Sequence, residues 1–169
     1  ITVDGDTSTN DTFLACSSGG ELESKYLSIL EEGLNLTAQY LAKAIARDGE
    51  GANCLIEVKV EGAQQDCDAR HIARTICSSS LVKTAIHGAD PNWGRILAAL
   101  GRSGVPVLFN DVGLWIGSHQ LLDAGLAIAF DRSKISSYIQ HRLNGTYLND
   151  DTVNIRLVVG RGEGVGIAW

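Results

Sequence analysis

The sequence predicts an α/β or α+β sandwich, in which mixed sheets are covered by helices. Residues 21–47 show the apolar spacing of one long helix, and residues 54–61 alternate as a strand does. Further helical and strand patterns follow in mixed order. No internal repeat, low-complexity tract or linker divides the chain, so residues 1–169 are predicted to form a single region.

The first half of the chain is predicted to contain a helix, a strand and a second helix. Apolar residues recur on one helical face at Leu27, Leu30, Leu34, Ala38, Leu41 and Ile45, and Gly49 is predicted to end this helix. Residues 54–61 then predict a strand with one face in water. Asp66 or Asp68 is predicted to cap a helix that carries Ala69, Ile72, Ala73 and Ile76.

The second half of the chain alternates shorter elements. Leu81–Ile86 fits a strand or a helix equally well, and Asp90 followed by Pro91 predicts a helix start. Strands are predicted at 107–109, 112–116, 126–130 and 153–159, and a helix is predicted at 132–143, ended by Gly145. The segment GRGEGVG has Val165 at the last glycine position of a G-x-G-x-x-G loop, so a strand with turns is predicted there.

Composition and charge exclude several classes of function. A formal net charge of −6 argues against a surface for nucleic acid or for an anionic membrane, and no apolar run is long enough to span a bilayer. The four cysteines form no C-x-x-C pair and the four histidines show no paired metal spacing, so neither a metal site nor a cofactor is predicted. We expect reduced thiols and a cytoplasmic location.

Ile1–Thr12, with the sequence ITVDGDTSTNDT, places acids, hydroxyls and an amide directly after a short β-branched run. Such a segment suits a loop that handles a ligand at the end of a strand. A polar turn whose Asx and hydroxyl groups cap the backbone is the simpler explanation from this segment alone.

Two further segments carry candidate functional residues. Glu50 lies between two glycines in DGEGA, where the backbone can approach a ligand closely, although a solvated loop acid is the alternative. In DPNWGR, Arg95 could pair with Asp90 or reach a substrate carboxylate. The alternative is a capped helix whose Trp93 fills the core.

The three segments in this order, with RDGEGA at 47–52 and SSLVKTAIHGADPNWGRI at 79–96, resemble the beta chain of ornithine acetyltransferase over essentially the whole sequence. That family comprises the bifunctional glutamate N-acetyltransferases of arginine biosynthesis. The resemblance implies a fold like that of the N-terminal-nucleophile enzymes, completed by an alpha chain. It also implies acetyl transfer from N-acetylornithine to glutamate without a cofactor, and some members also accept acetyl-CoA.

The resemblance implies that the active site is divided. In the family, the precursor cleaves itself, and the threonine at the new N-terminus is the nucleophile. The family also has a C-terminal segment that contacts the substrate. Neither that threonine nor that segment is present in these 169 residues. No catalytic residue is therefore predicted, the isolated chain is expected to be inactive, and Glu50 is the predicted substrate-binding residue. The expected partner is the alpha chain, in a hetero-tetramer. Many members have a lysine after DGEGA, where this chain has Asn53 and Cys54.

Two other functions stay open from the residues. Asp4-Gly5-Asp6-Thr7-Ser8 resembles the D-x-D-x-T motif of dehalogenase-type phosphohydrolases, with Asp4 as nucleophile and Asp6 as general acid, and Lys83, Asp150 and Asp151 would have to complete that site. A noncatalytic structural subunit is the other alternative. A calcium loop starting at Asp4 fails, because Thr9 and Ala15 replace its glycine and its bidentate glutamate.

Overall fold

The computed structural model describes residues 1–169 and contains five α-helices and one six-stranded mixed sheet, which confirms the predicted mixed α/β class. The elements are α1 (Leu27–Arg47), β1 (Leu55–Ala63), α2 (Asp66–Cys77), α3 (Ser80–His87), α4 (Trp93–Arg102), β2 (Gly113–Ile116), β3 (His119–Asp123), β4 (Leu126–Ala127), α5 (Arg132–Leu143), β5 (Thr152–Val158) and β6 (Gly164–Ala168). Single 3₁₀ turns lie at Ser24–Tyr26 and Phe109–Asp111. No helix is both long and apolar enough to cross a membrane.

The sheet has the strand order β4-β3-β2-β5-β1-β6. β1 and β5 pair in parallel, with Leu55 opposite Thr152 and Glu61 opposite Val158. All other neighbouring strands are antiparallel. The parallel pair therefore lies inside the sheet, where both strands are hydrogen-bonded on both sides.

One face of the sheet carries the core. Val58 and Val60 of β1 are fully buried, and α2 packs against β1 and β6 on this side. Buried residues of α3, α4 and α5 join the same core. The opposite face of β1 is polar, and α1 contacts it through Lys43, whose ammonium lies 3.2 Å from Glu57. The alternation predicted for residues 54–61 is confirmed, because successive strand side chains point to opposite faces.

The GRGEGVG segment is a strand with turns, as predicted, and its glycines permit close packing. A Cβ atom at Gly166 would lie 2.3 Å from the backbone nitrogen of Arg70, so only glycine lets α2 lie directly on β6. Gly62, opposite this segment, has φ +81° and would place a Cβ atom 2.3 Å from the carbonyl oxygen of Gly160. The glycines therefore position backbone against backbone.

Several predicted element boundaries are wrong. No strand forms at 107–109, because this segment pairs with no other strand and runs into a 3₁₀ turn at Phe109, with Leu108 and Phe109 exposed. The strand predicted at 126–130 is reduced to Leu126–Ala127. The ambiguous segment at 81–86 is helical, and the Ser79 side chain caps it by accepting a hydrogen bond from the Val82 N–H.

Two predicted helix caps are also wrong. Asp66 is the first residue of α2, and its carboxylate accepts a hydrogen bond from the Val165 N–H at 2.9 Å, across to β6. Asp90 does not begin α4, which starts at Trp93, and the Asp90 carboxylate pairs with Arg132 at 2.5 Å instead. Asn92 caps α4 instead, and its side chain accepts a hydrogen bond from the Arg95 N–H.

Candidate functional site

Glu50 lies in the tight turn that follows α1. The Ala52 N–H donates to the Gly49 carbonyl at 2.9 Å, which leaves Glu50 and Gly51 at the two central positions of the turn. Gly51 has φ +73°, a conformation that favours glycine. The Glu50 side chain is exposed and has no hydrogen-bond or ion-pair partner within the chain. The turn therefore presents a free carboxylate.

Ile1–Val3 packs beside this turn. The Thr2 N–H donates to the Trp169 carbonyl at 2.7 Å, and the Lys83 ammonium of α3 donates to the Val3 carbonyl. A Cβ atom at Gly49 would lie 3.2 Å from Val3 Cγ1, so the two segments are in contact. The N-terminal segment, the DGEGA turn and the first part of the third segment thus meet at one place.

A cavity of about 210 Å³ opens where these segments meet. Its walls are mainly apolar, and the residues with polar side chains that line it include Thr2, Glu50, Asn53, Cys54, Cys77, Lys83 and His87. The hydroxyl of Thr2 is buried and has no hydrogen-bond partner. The site therefore combines a carboxylate and an ammonium group with an apolar wall. Such a site suits a small molecule that carries a positive and a negative charge on a short carbon chain.

The two thiols in the cavity wall are protonated at neutral pH. Burial raises the pKa of Cys54 to about 11, against a smaller lowering by Arg47. Burial likewise raises the pKa of Cys77 to about 12. Because the thiolate is the nucleophile and the metal ligand, neither cysteine is suited to covalent or metal chemistry here. All four cysteines of the chain are free.

The polar segment after Val3 is exposed, and part of it forms a local turn. The Ser8 hydroxyl accepts hydrogen bonds from the Asn10 and Asp11 N–H groups at 3.1 Å each. This is the hydroxyl-capped turn that the residues alone allowed. Asp4 and Asp6 follow irregular backbone instead of a strand of the sheet, so the dehalogenase-type alternative gains no support from the geometry.

Of the other residues required by that alternative, Lys83 lies next to Asp4, but Asp150 and Asp151 are held in contacts of their own. Lys83 binds the Val3 carbonyl, Asp151 pairs with Arg47, and Asp150 accepts from the backbone and side chain of Thr146. The Thr146 contacts lower the pKa of Asp150. Nowhere in the chain do three or more His, Cys, Asp or Glu side chains form a cluster that could hold a metal ion.

The DPNWGR segment joins three helices and does not line the Glu50 cavity. Arg95 donates to the Leu81 carbonyl at 3.0 Å and to the Thr84 hydroxyl at 3.1 Å, so the alternative in which it pairs with Asp90 is wrong. Trp93 packs against the core, as the capped-helix alternative predicts. The residues of this third segment that reach the cavity are Lys83, Ile86 and His87. Sequence reasoning did not assign them to the site, because an ordinary helical pattern gives no signal for a cavity wall.

Comparison with known proteins identifies the family. The family model described as the ArgJ family matches residues 1–169. Two relatives named arginine biosynthesis bifunctional protein ArgJ, from Prochlorococcus marinus strains NATL2A and MIT 9313, are 66% and 62% identical over all 169 residues. The chain spans 40% of the length of each of these relatives.

A solved structure shows the same fold. The crystal structure of an arginine biosynthesis bifunctional protein ArgJ from Bacillus halodurans superposes with a TM-score of 0.89 and 41% sequence identity, over 99% of this chain and 78% of that chain. The segments that meet at the Glu50 cavity are those on which the resemblance to ornithine acetyltransferases depends. The chain belongs to the ArgJ family.

Proposed function

We propose that this chain is part of a glutamate N-acetyltransferase that moves an acetyl group from N-acetylornithine to glutamate in arginine biosynthesis. The relatives it matches are named as bifunctional proteins of arginine biosynthesis. The observation that carries the proposal is the unpaired Glu50 carboxylate, presented at a cavity that the family segments build together.

Glu50 suits the donor substrate on chemical grounds. In N-acetylornithine the α-nitrogen is an uncharged amide, so the side-chain ammonium is the remaining cation. A carboxylate accepts a charge-assisted hydrogen bond from such an ammonium group. Glutamate carries a carboxylate on its side chain instead, which Glu50 would repel. We therefore assign Glu50 to the recognition of N-acetylornithine.

The proposed reaction proceeds through an acetyl-enzyme. A threonine hydroxyl outside these 169 residues attacks the acetyl carbon, the carbon–nitrogen bond breaks, and ornithine leaves after its α-nitrogen takes a proton. The amine of glutamate then attacks the ester, which yields N-acetylglutamate and restores the hydroxyl. The protonated thiols of Cys54 and Cys77 would not compete for the acetyl group.

The proposed partner is an alpha chain that supplies oxyanion donors and completes the fold, in a cytoplasmic hetero-tetramer. No residue of α1 is buried within this chain, although the helix has an apolar face. A partner that covers this face would remove apolar surface from water, which supports the proposal. Use of acetyl-CoA as an additional donor would belong to the same acetyl-enzyme chemistry.

The test is Glu50→Gln in the assembled enzyme. We expect kcat/KM for N-acetylornithine to fall by about tenfold to a hundredfold, because a hydrogen bond to a charged group contributes about 1.5–3 kcal/mol. The fold should persist, since the exposed side chain packs against nothing. Acetyl-enzyme formation and its discharge by glutamate can be measured separately in a ping-pong reaction. The discharge step should change less.

Glu163→Gln is the matched control, because it makes the same carboxylate-to-amide change at an exposed position that does not line the cavity. It should leave both half-reactions unchanged. If Glu50→Gln has unaltered kcat/KM for both substrates, the proposed function of this site is wrong.

A further inference from the structure

A buried ion pair lies directly behind the Glu50 turn. Arg47, the last residue of α1, donates from Nε to Oδ2 of Asp151, whose side chain is 0% exposed. The other carboxylate oxygen of Asp151 is buried and has no partner. Burying a charge pair costs desolvation free energy that apolar residues of similar volume avoid, so stability alone is a poor reason for this arrangement.

Arg47 and Asp151 also hydrogen-bond to the backbone at the end of the Glu50 turn and at the start of β1. Nη1 of Arg47 donates to the Ala52 carbonyl at 2.7 Å, and the backbone carbonyl of Asp151 accepts from the Leu55 N–H at 3.0 Å. Ala52 and Leu55 line the same cavity as Glu50. One guanidinium group therefore links the end of α1, the end of the turn and the start of β5.

Arg47 is also held from its other side. Its guanidinium carbon lies 5.6 Å from the centre of the Tyr147 ring, and the Tyr147 hydroxyl lies 3.4 Å from the Ala44 carbonyl of α1. Glu50 itself makes no hydrogen bond to the protein. The direction of its carboxylate therefore depends on the backbone of the turn, which Arg47 and Asp151 fix.

We propose that Arg47 and Asp151 are positioning residues that set the Glu50 carboxylate for the substrate ammonium group, an inference that rests on the proposed function of this site. The two charges of the pair neutralise each other, so the negative charge of Glu50 stays available for the ligand. Lysine at position 47 would keep the charge but lose the planar group that reaches Asp151 and Ala52 together.

The experiment compares Arg47→Lys, Asp151→Asn, Glu50→Gln and the double variant Asp151→Asn/Glu50→Gln in the assembled enzyme. Because a small displacement of a binding group can cost up to about a hundredfold in rate, we expect each of the two positioning variants to lower kcat/KM for N-acetylornithine by about tenfold to a hundredfold. The double variant should be no slower than Glu50→Gln alone, since the pair acts through Glu50.

Arg156→Lys is the matched control, because Arg156 also pairs with a carboxylate, Glu61 at 2.6 Å, but on the polar face of β5. It should change kcat/KM by less than about twofold, as expected for a surface pair. Backbone hydrogen exchange of Glu50–Asn53 without substrate gives a second readout. It should be faster in Asp151→Asn and in Arg47→Lys than in the parent enzyme and the control.

Three results would overturn the positioning role: additive losses in the double variant, unchanged exchange in the turn, or a lower Tm with unaltered kcat/KM in the folded fraction. A different result separates the two proposals. If Glu50→Gln is fully active while the turn of Asp151→Asn exchanges faster, the proposed function fails and the pair still fixes the turn.

Discussion

Helices α1 and α2 share an apolar periodicity but have opposite surroundings. α2 has 12 residues, five of them buried, and Ile72 and Ile76 are fully covered by the sheet and its neighbours. α1 has 21 residues and none is buried. Leu34 and Leu41, in the middle of its predicted apolar face, remain 58% and 48% exposed.

The difference shows that periodicity predicts a face to be buried without saying what buries it. α2 finds its partner in β1 and β6 of the same chain. Near its C-terminal end, α1 contacts Glu57 of β1 through Lys43, and Arg47 pairs with Asp151, which precedes β5. Because the chain spans 40% of the length of its Prochlorococcus relatives, segments that correspond to the remainder are candidates to cover α1. This agrees with the proposed alpha chain as partner.

The largest expected effect concerns activity. The isolated 169-residue chain should show no acetyl transfer from N-acetylornithine to glutamate, because the proposed nucleophile lies outside it. It should also self-associate through the exposed face of α1. Assays of transfer with and without the added alpha chain and the remaining segments, together with light scattering, measure both properties. Transfer by the chain alone at a rate near that of the assembled enzyme would refute the divided active site.

A second prediction compares the two helices directly in the isolated chain. Ile72→Ala in α2 should lower the free energy of unfolding by about 2–5 kcal/mol, because it leaves a cavity in the core. Leu34→Ala in α1 should change it by less than about 0.5 kcal/mol at concentrations where the chain is monomeric, since the side chain is then largely in water. Urea denaturation of both variants measures the difference.

The same pair of variants tests the partner of α1. In the assembled enzyme, Leu34→Ala should become clearly destabilising or weaken association, while the cost of Ile72→Ala should stay similar. An equally small effect of Leu34→Ala in both states would contradict the view that a partner buries this face.

The smallest expected effect concerns Glu61, on the polar and partly exposed face of β1. Lys59 at 2.5 Å and Arg156 at 2.6 Å from Glu61 lower the pKa of that carboxyl below 4.5 through their hydrogen bonds. Because the pKa of Glu61 is lowered in the folded state, its charge stabilises the fold fully above pH 4.5. This stabilisation is lost as the pH falls through the pKa of the folded state. Glu61→Gln should therefore destabilise the chain by less than about 1 kcal/mol at neutral pH.

Urea denaturation of Glu61→Gln and the parent chain across acidic pH measures this dependence. The difference in unfolding free energy should shrink as the pH falls and disappear once Glu61 is protonated in both states. A difference that does not change with pH would show that the contacts of the side chain, and not its charge, account for the effect.

Local patterns in the chain were enough to predict the elements that depend on periodicity and to find the segments that mark the family. The alternation in β1, the apolar face of α2 and the helix at 132–143 were predictable because each depends on residues close together in the chain. Glu50 could be selected as a binding residue because flanking glycines and a family resemblance are both visible in sequence.

How the distant segments meet could be learned only from the three-dimensional structure. Arg47 and Asp151 are 104 residues apart, and Lys83 and Val3 are 80 residues apart, so no local pattern predicts either contact. The apolar run at 107–109 failed as a strand because strand formation needs a partner for its backbone groups, and no strand pairs with it. Apolar periodicity likewise could not distinguish α1 from α2, because burial depends on which surface reaches the helix in three dimensions.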